Sequence, residues 1–353
     1  MAKDKERGQQ AAASPITNMH GAKILVTGGS GTIGAELVRQ FVDEGAAVVR
    51  VFSNDENGLF EIKERLGAIP SLRFLLGDVR DRDRLRLAAK DIDYIFHAAA
   101  LKHVPLCGYD PMEAVKTNVL GSQNVIEAAL DRNVKAVVGI STDKAADPVS
   151  TMGVTKLLME RLFHDANTYS GVAGTRFSCV RFGNVLASRG SVIPTFLRQI
   201  ASGGPVTVTD ARMVRYFMTT HDAVALIRRA AAIARGGEIF ILRMPRLRIL
   251  DLAKVLIARY ASHYGHDPRK VRIAFTGVRI SEKLDETLVA DYERPDLYQS
   301  PQMYLLPGAQ AVPSGFARLR RGALPAGPLL THRQIGALLD QIQADLALPQ
   351  RSA

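Results

Sequence analysis

The sequence predicts an α/β fold, a doubly wound parallel sheet followed by a smaller C-terminal lobe. Three observations lead there. Short apolar runs alternate with amphipathic stretches from Ala22 to Val185. Several of those runs are continuously apolar rather than alternating, as strands are when helices cover both faces of a sheet. Beyond Val185 the alternation loosens and turn residues crowd in.

Taken in order, Ala22–Gly28 (AKILVTG) reads as a buried strand ending in glycines, and Ile33–Glu44 as a helix with Ile33, Leu37, Val38 and Phe41 on one face. Ala47–Phe52 is a second strand and Gly58–Leu66 a second helix. Leu72–Asp78 and Ile92–Ala100 follow as strands, then a long helix from Met112 to Asp131. Val134–Ser141 is a fifth strand, Val154–Tyr169 a helix, and Arg176–Val185 a sixth strand. Such alternation implies parallel strands with helices on both faces. Past it, Gly203, Gly204 and Pro205 mark a turn, Leu250–Tyr260 a helix, and Pro295–Pro313 a turn-rich stretch. We therefore expect a sheet domain over 21–185 and a lobe with a C-terminal tail over 186–353. The lobe should pack over the carboxyl ends of the strands, where ligands bind in open α/β sheets.

The remaining composition narrows the class. A chain of 353 residues, 47% hydrophobic and 23% charged, can bury a full core and is not of disordered type. No apolar run approaches the roughly 18 residues that span a bilayer, so no membrane is expected as partner. Residues 1–20 lack the apolar centre of a secretory signal and read as a mobile leader. Two cysteines, Cys107 and Cys179, imply no disulfide framework and fit a reducing, cytoplasmic setting. Lys and Arg number 46 against 35 Asp and Glu, a net charge of +11, but the basic residues are scattered and Trp is absent. A nucleic-acid binder would concentrate them and add stacking platforms. A small anionic ligand accounts for the charge, and no metal site is expected.

Directly after the first strand stands Thr27-Gly28-Gly29-Ser30-Gly31-Thr32-Ile33-Gly34. Gly28 permits the tight turn, Gly31 lets backbone approach a pyrophosphate, and Gly34 allows the helix to pack closely on the strand. The helix beyond offers N–H groups and a positive dipole end. Glycines alone would fit an ordinary turn; between a strand and a helix at the start of the sheet they predict a Rossmann dinucleotide site. Strand two ends in Ser53-Asn54-Asp55-Glu56, with no arginine for a 2′-phosphate and with Asp55 to repel one. NAD is therefore favoured over NADP.

The G-x-x-G-x-x-G spacing resembles the extended short-chain dehydrogenase/reductases. So do Gly77-Asp78-Val79, His97-Ala98-Ala99-Ala100, Asn118 and Lys156. By that resemblance Asp78 and Val79 lie beside the adenine, Ala98, Ala99 and Ala100 line the dinucleotide, and Asn118 and Lys156 complete the cofactor set. Ser141–Lys156 (STDKAADPVSTMGVTK) is closer still to the UDP-N-acetylglucosamine 4,6-dehydratases of bacterial capsule, O-antigen and flagellin-glycan pathways. The strings His97–Pro105, Pro111–Gly121, Phe182–Pro194 and Arg215–Thr219 agree, so the likeness runs from about Lys23 to Glu293.

The resemblance implies oxidation at carbon 4 of a UDP-sugar, loss of the carbon 6 hydroxyl as water, and hydride return to carbon 6, with or without inversion at carbon 5, giving a 4-keto-6-deoxy sugar nucleotide. Thr142 would bond the carbon 4 oxygen and Asp143 would protonate the leaving hydroxyl. Lys144 would be the base at carbon 5, provided burial and its neighbours lower its pKa. The superfamily's tyrosine slot holds Met152, whose thioether takes no proton, leaving Lys156 to hold the nicotinamide ribose. Asn184, Arg189 and Ser191 would approach the substrate's nucleotide and phosphates. Arg215 and Arg279 would clamp the diphosphate, Glu282 would meet the uridine ribose, and Lys102 and His103 would stand near the sugar, Lys102 also touching the cofactor. Arg279-Ile-Ser-Glu-Lys283 departs from the family's R-P-G-E-K, which leaves that loop's geometry open. A 4-epimerase, or a non-catalytic dinucleotide-binding relative, would share much of this pattern. Further copies of the chain are the other expected partner.

Overall fold

The computed structural model describes residues 18–171, 174–320, 327–343 and 346. The leader expected over 1–20 lies outside them apart from its last three residues, as do 321–326, 344–345 and 347–353 of the expected lobe and tail.

Six strands open the chain: β1 (Lys23–Thr27), β2 (Val48–Ser53), β3 (Leu72–Leu76), β4 (Tyr94–His97), β5 (Ala136–Thr142) and β6 (Arg176–Phe182). Helices α1 (Thr32–Asp43), α2 (Glu56–Leu66) and α3 (Arg82–Ala88) follow the first three strands. Between β4 and β5 run α4 (Val104–Tyr109), α5 (Pro111–Val115) and α6 (Gly121–Asp131), and α7 (Thr151–Ser170) joins β5 to β6. The remaining strands are β7 (Asn184–Val185), β8 (Val206–Val208), β9 (Val214–Met218), β10 (Ile239–Leu242), β11 (Arg246–Arg248), β12 (Ile273–Phe275), β13 (Tyr298–Gln299), β14 (Met303–Leu306) and β15 (Ala317–Arg318). With them come α8 (Val192–Ala201), α9 (Thr220–Ile233), α10 (Ile249–Tyr260) and α11 (His332–Gln341).

The main sheet runs β15-β13-β14-β10-β6-β5-β4-β1-β2-β3, parallel from β3 through β10, with β14 antiparallel to β10. Its inner order is the doubly wound one, and the direction of winding reverses between β1 and β4, where a crevice opens. The fold class is as the sequence predicts. The division at Val185 is not a division of the sheet, because β10, β13, β14 and β15 return to it from beyond that residue. A second, smaller core, including Leu186, Phe196, Leu252 and Ile335, belongs to the lobe.

Local chemistry explains the elements nearest the crevice. All residues of β5 but its last are buried, and Gly139 leaves room for the ring of Phe163, which a Cβ would approach to 2.2 Å. That bare position lets α7 settle on β5. Ser150 caps α7 by accepting from the Gly153 N–H. The helix expected to run unbroken from Met112 is interrupted by a π-turn over Lys116–Leu120. Such turns often mark functional segments, and this one carries Asn118.

Candidate active site

At the crevice lies a cleft of about 640 Å³. Its floor is the glycine loop. Gly28 is left-handed (φ +66), and a Cβ there would meet the Ala99 backbone at 2.6 Å; at Gly34 one would meet the Gly28 carbonyl at 2.3 Å. Both glycines are demanded by the fold. Gly31 is not, since a Cβ there would find only the Gly28 oxygen at 3.3 Å. Its bareness keeps the approach to α1 open, and Gly31 caps that helix without a side-chain hydrogen bond. Unpaired N–H groups at an open helix N-terminus suit the phosphates of a dinucleotide.

Ser30, Thr32, Ile33, Ser53, Asn54, Asp55, Asp78, Val79 and Ala98–Ala100 line this cleft with the loop glycines. Thr27 and Asn118, also expected to bind cofactor, face inward instead. Thr27 bonds the buried His97 (Oγ1 to Nδ1, 2.7 Å). The fully buried Asn118 accepts from Leu101 N at 2.8 Å and donates to Leu101 O and to Thr155 Oγ1, each at 3.0 Å. Neither lines the cleft, and both brace its wall. His97 also meets Ser122 at 3.1 Å, and burial, with the Lys156 cation, lowers its pKa to about 3.

The absence of an arginine at the end of β2 holds in sequence but not in space. A loop 134 residues on brings Arg189 to 3.4 Å from Asp55, where it also donates to Ser30 O at 2.9 Å. Arg189 therefore lies over the end of β2, at the part of the cleft lined by Ser30 and Asp55. Lys102 holds the same loop from below, donating to Arg189 O at 2.8 Å, and Gly190 lies against the His103 ring. Asp55 is also engaged as the cap of α2, so selection between NAD and NADP is not set by Asp55 alone.

Thr142, Lys144, Met152, Lys156, Asn184 and Ser191 line the other half of the cleft. Lys156 donates to Ile140 O at 2.7 Å, and burial lowers its pKa to about 8. Met152 is buried against Cys107 and Ala114. Asp143 is fully buried; its Oδ1 accepts from Thr142 Oγ1 at 2.8 Å and from Lys144 Nζ at 3.0 Å. Asp143 Oδ2 has no partner among the described residues. The carboxylate sits behind the cleft wall, connected to it through Thr142 and Lys144.

Lys144 departs from expectation. Burial pulls its pKa down, but the carboxylates of Asp143 and Glu286 outweigh burial and hold it above the ordinary lysine value. Lys144 rests as a cation and must shed a proton before it can act as a base.

A smaller cavity of about 170 Å³ continues from Lys144 and Asn184 toward the lobe, lined also by Arg215, Ser281, Glu282, Lys283 and Glu286. Arg215 is buried, and Glu282 Oε2 is buried without a partner among the described residues, as a ligand-facing carboxylate would be. Arg279 differs from its expected place: it is exposed and lines neither cavity. Ser281, where the family pattern has glycine, takes φ +76, a left-handed backbone that costs an L-residue about 1–2 kcal/mol. Glu286 is the site residue that motif reading missed. Its one sequence signal is the dense charge of Glu282-Lys283-Leu284-Asp285-Glu286 in a stretch without helical spacing.

Fold and site together define a dinucleotide-binding enzyme of the extended short-chain dehydrogenase/reductase type. Residues 24–307 match the polysaccharide biosynthesis protein family, and the chain belongs to it. An uncharacterised membrane protein of Methanocaldococcus jannaschii is 49% identical over 82% of this chain and 87% of its own. The inverting UDP-N-acetylglucosamine 4,6-dehydratase of Campylobacter jejuni is 38% identical over 80% of this chain and 82% of its own. Likeness of the same degree, 38% over 80% and 82%, extends to a protein of Rickettsia canadensis named UDP-glucose 4-epimerase. Among solved structures, Pen from Bacillus thuringiensis superposes with a TM-score of 0.87 at 38% identity, over 94% of this chain and all of that one. A Streptomyces venezuelae dTDP-glucose 4,6-dehydratase with NAD bound gives 0.68 at 27%, over 75% and 88%. No described helix is long and apolar enough to cross a membrane.

Proposed function

We propose that the chain is a lyase, an NAD(P)-dependent 4,6-dehydratase of UDP-N-acetylglucosamine or a close relative. The observation that carries this reading is the hydrogen-bonded Thr142-Asp143-Lys144 group, whose Lys144 lies where the cofactor cleft meets the smaller cavity. A bound nicotinamide dinucleotide supplies hydride acceptance and return. The protein's residues handle the protons.

Thr142 accepts the sugar's carbon 4 hydroxyl proton as it passes its own to Asp143, which lies 2.8 Å away. With Met152 in the tyrosine slot, this relay is the route the side chains offer. Once carbon 4 is a carbonyl, the carbon 5 proton is acidic and Lys144, as neutral amine, removes it. Asp143 gives its stored proton back through the Thr142 hydroxyl to the carbon 6 hydroxyl, which leaves as water. Lys144 returns a proton to carbon 5 when hydride reaches carbon 6, so protons balance and the cofactor is regenerated. Arg215 and Glu282 hold the nucleotide end in the smaller cavity. The free, buried thiols of Cys107 and Cys179 and a substrate of this class fit the cytoplasm.

Epimerisation at carbon 4 shares the first step, and some relatives carry that name. It requires no acid for a leaving hydroxyl, which is the role a buried Asp143 beside Thr142 fits. Incubating the protein with UDP-N-acetylglucosamine and NAD or NADP in heavy water separates the two. The expected product is a 4-keto-6-deoxy sugar nucleotide with deuterium at carbon 5 and no net cofactor reduction, and Lys144→Ala should slow it at least 100-fold. A 4-epimer of unchanged mass would sink the dehydratase reading.

A further inference from the structure

Before carbon 5 can be deprotonated, two protons need a holder, that of the carbon 4 hydroxyl and that of the Lys144 ammonium, and the site holds two buried carboxylates. One is Asp143, which receives the carbon 4 hydroxyl proton through Thr142. The other is Glu286, which no part of that mechanism uses. Its carboxylate is buried at the lobe side of the smaller cavity, with Oε1 3.5 Å from Lys144 Nζ and 3.7 Å from Arg215 Nε. Lys144 thus stands between Asp143 at the end of β5 and Glu286 on the lobe.

Resting on the dehydratase reading, we propose that Glu286 is the residue that takes the proton Lys144 must shed, so that Lys144 meets carbon 5 as a neutral amine. The step is a transfer within the site: the Lys144 N–H bond breaks, the Glu286 O–H bond forms, and ammonium plus carboxylate become amine plus carboxylic acid. Asp143 cannot serve for this proton, because it already holds the one destined for the leaving hydroxyl, and a neutral carboxylic acid accepts no second proton at working pH. Glu286 is suited by its surroundings, since burial raises its pKa against the opposing pull of Lys144. The charged groups that face it are Lys144 and Asp143 from the turn that follows β5, Arg215 from β9, and Lys283 on its own segment. Arg215 Nη1 donates to the Val214 and Leu284 carbonyls at 2.8 and 3.2 Å, and its Nε faces the same Glu286 Oε1 that Lys144 Nζ approaches. Glu286 acts through Lys144, so it is a positioning residue for the proton.

A transfer inside the site leaves its total proton count unchanged, so wild-type kcat should not depend on bulk pH between about 6 and 9. In Glu286→Gln the amide accepts no proton and Lys144 must lose its own to solvent. The variant's kcat should then rise about tenfold per pH unit below the Lys144 pKa, and at pH 7 fall at least 100-fold below wild type, with KM within about threefold. Glu286→Asp, a shorter carboxylate, should recover part of the rate and keep the flat profile. Folding is followed by the melting temperature with cofactor bound. If Glu286→Gln does not fold, the aspartate variant decides: a flat profile supports the proposal and a tenfold-per-unit slope overturns it. A folded Glu286→Gln with a flat profile and near wild-type kcat overturns the proposal, as does a large rise in KM at unchanged kcat. Absence of dehydration by the wild-type protein overturns the functional reading and this proposal with it; wild-type turnover with either adverse variant result overturns the proposal alone.

Discussion

At the scale of single residues, the environment of a side chain decides more than its identity. Arg215 and Arg279 carry the same guanidinium, and the motif reading gave them one role. Arg215 is buried at the smaller cavity, where a substrate diphosphate left without partners would be costly. Arg279 is exposed and lines neither cavity. A charge-assisted contact to the diphosphate contributes about 1.5–3 kcal/mol to ground state and transition state alike. Arg215→Ala should therefore raise KM tenfold or more with kcat changed less, while Arg279→Ala changes KM less than about threefold. Steady-state kinetics on both variants check this. Equal, large rises in KM would return Arg279 to the site and require the loop around Ser281 to close onto the ligand.

At the scale of elements, the sequence made the strand-turn-helix of the glycine loop legible, because Gly28 and Gly34 answer to local backbone contacts within that motif and its neighbouring strand end. What the neighbouring strand contributes was less visible. His97 ends β4 and ties it to Thr27 on β1 and Ser122 on α6, so the ring is a brace. Its pKa, lowered from 6.5 to about 3 by burial, carries a pH consequence. Above pH 6.5 the ring is neutral in both folded and unfolded chains. As pH falls below that, the unfolded chain binds a proton that the folded one refuses until about pH 3, so stability falls. The loss approaches roughly 1.4 kcal/mol per pH unit. Urea midpoints between pH 6.5 and 5 should show this slope in the wild type and a shallower one in His97→Gln. Identical slopes would mean the ring titrates normally.

At the scale of the whole molecule, the chain on either side of Val185 is locked by one buried ion group. Arg181 on β6 is bidentate to Glu160 on α7, at 3.0 and 2.7 Å, and bonds Glu293, from the chain beyond Val185, at 2.8 Å through each terminal nitrogen. Both carboxylates raise the guanidinium's pKa against the burial that would lower it. Removing one partner of such a group leaves a buried charge uncompensated, typically at about 3–5 kcal/mol. Glu293→Gln should lower stability by about that much, in a single transition shared by circular dichroism and cofactor release. A change under about 1 kcal/mol would mean that the sheet and the chain returning to it are coupled elsewhere.

The fold class, the glycine loop and the Thr142-Asp143-Lys144 cluster were legible from residue order, because each is a local pattern: strand runs, bare backbone at a turn, adjacent side chains. Tertiary structure alone decided what those groups face. It brought Arg189 to Asp55 across 134 residues, turned Thr27 and Asn118 into the wall, left Arg279 outside, and set Glu286 beside Lys144. The charge on Lys144 was settled there too, since a pKa answers to burial and to the nearest opposite charges, and the chain supplies both only when it is folded.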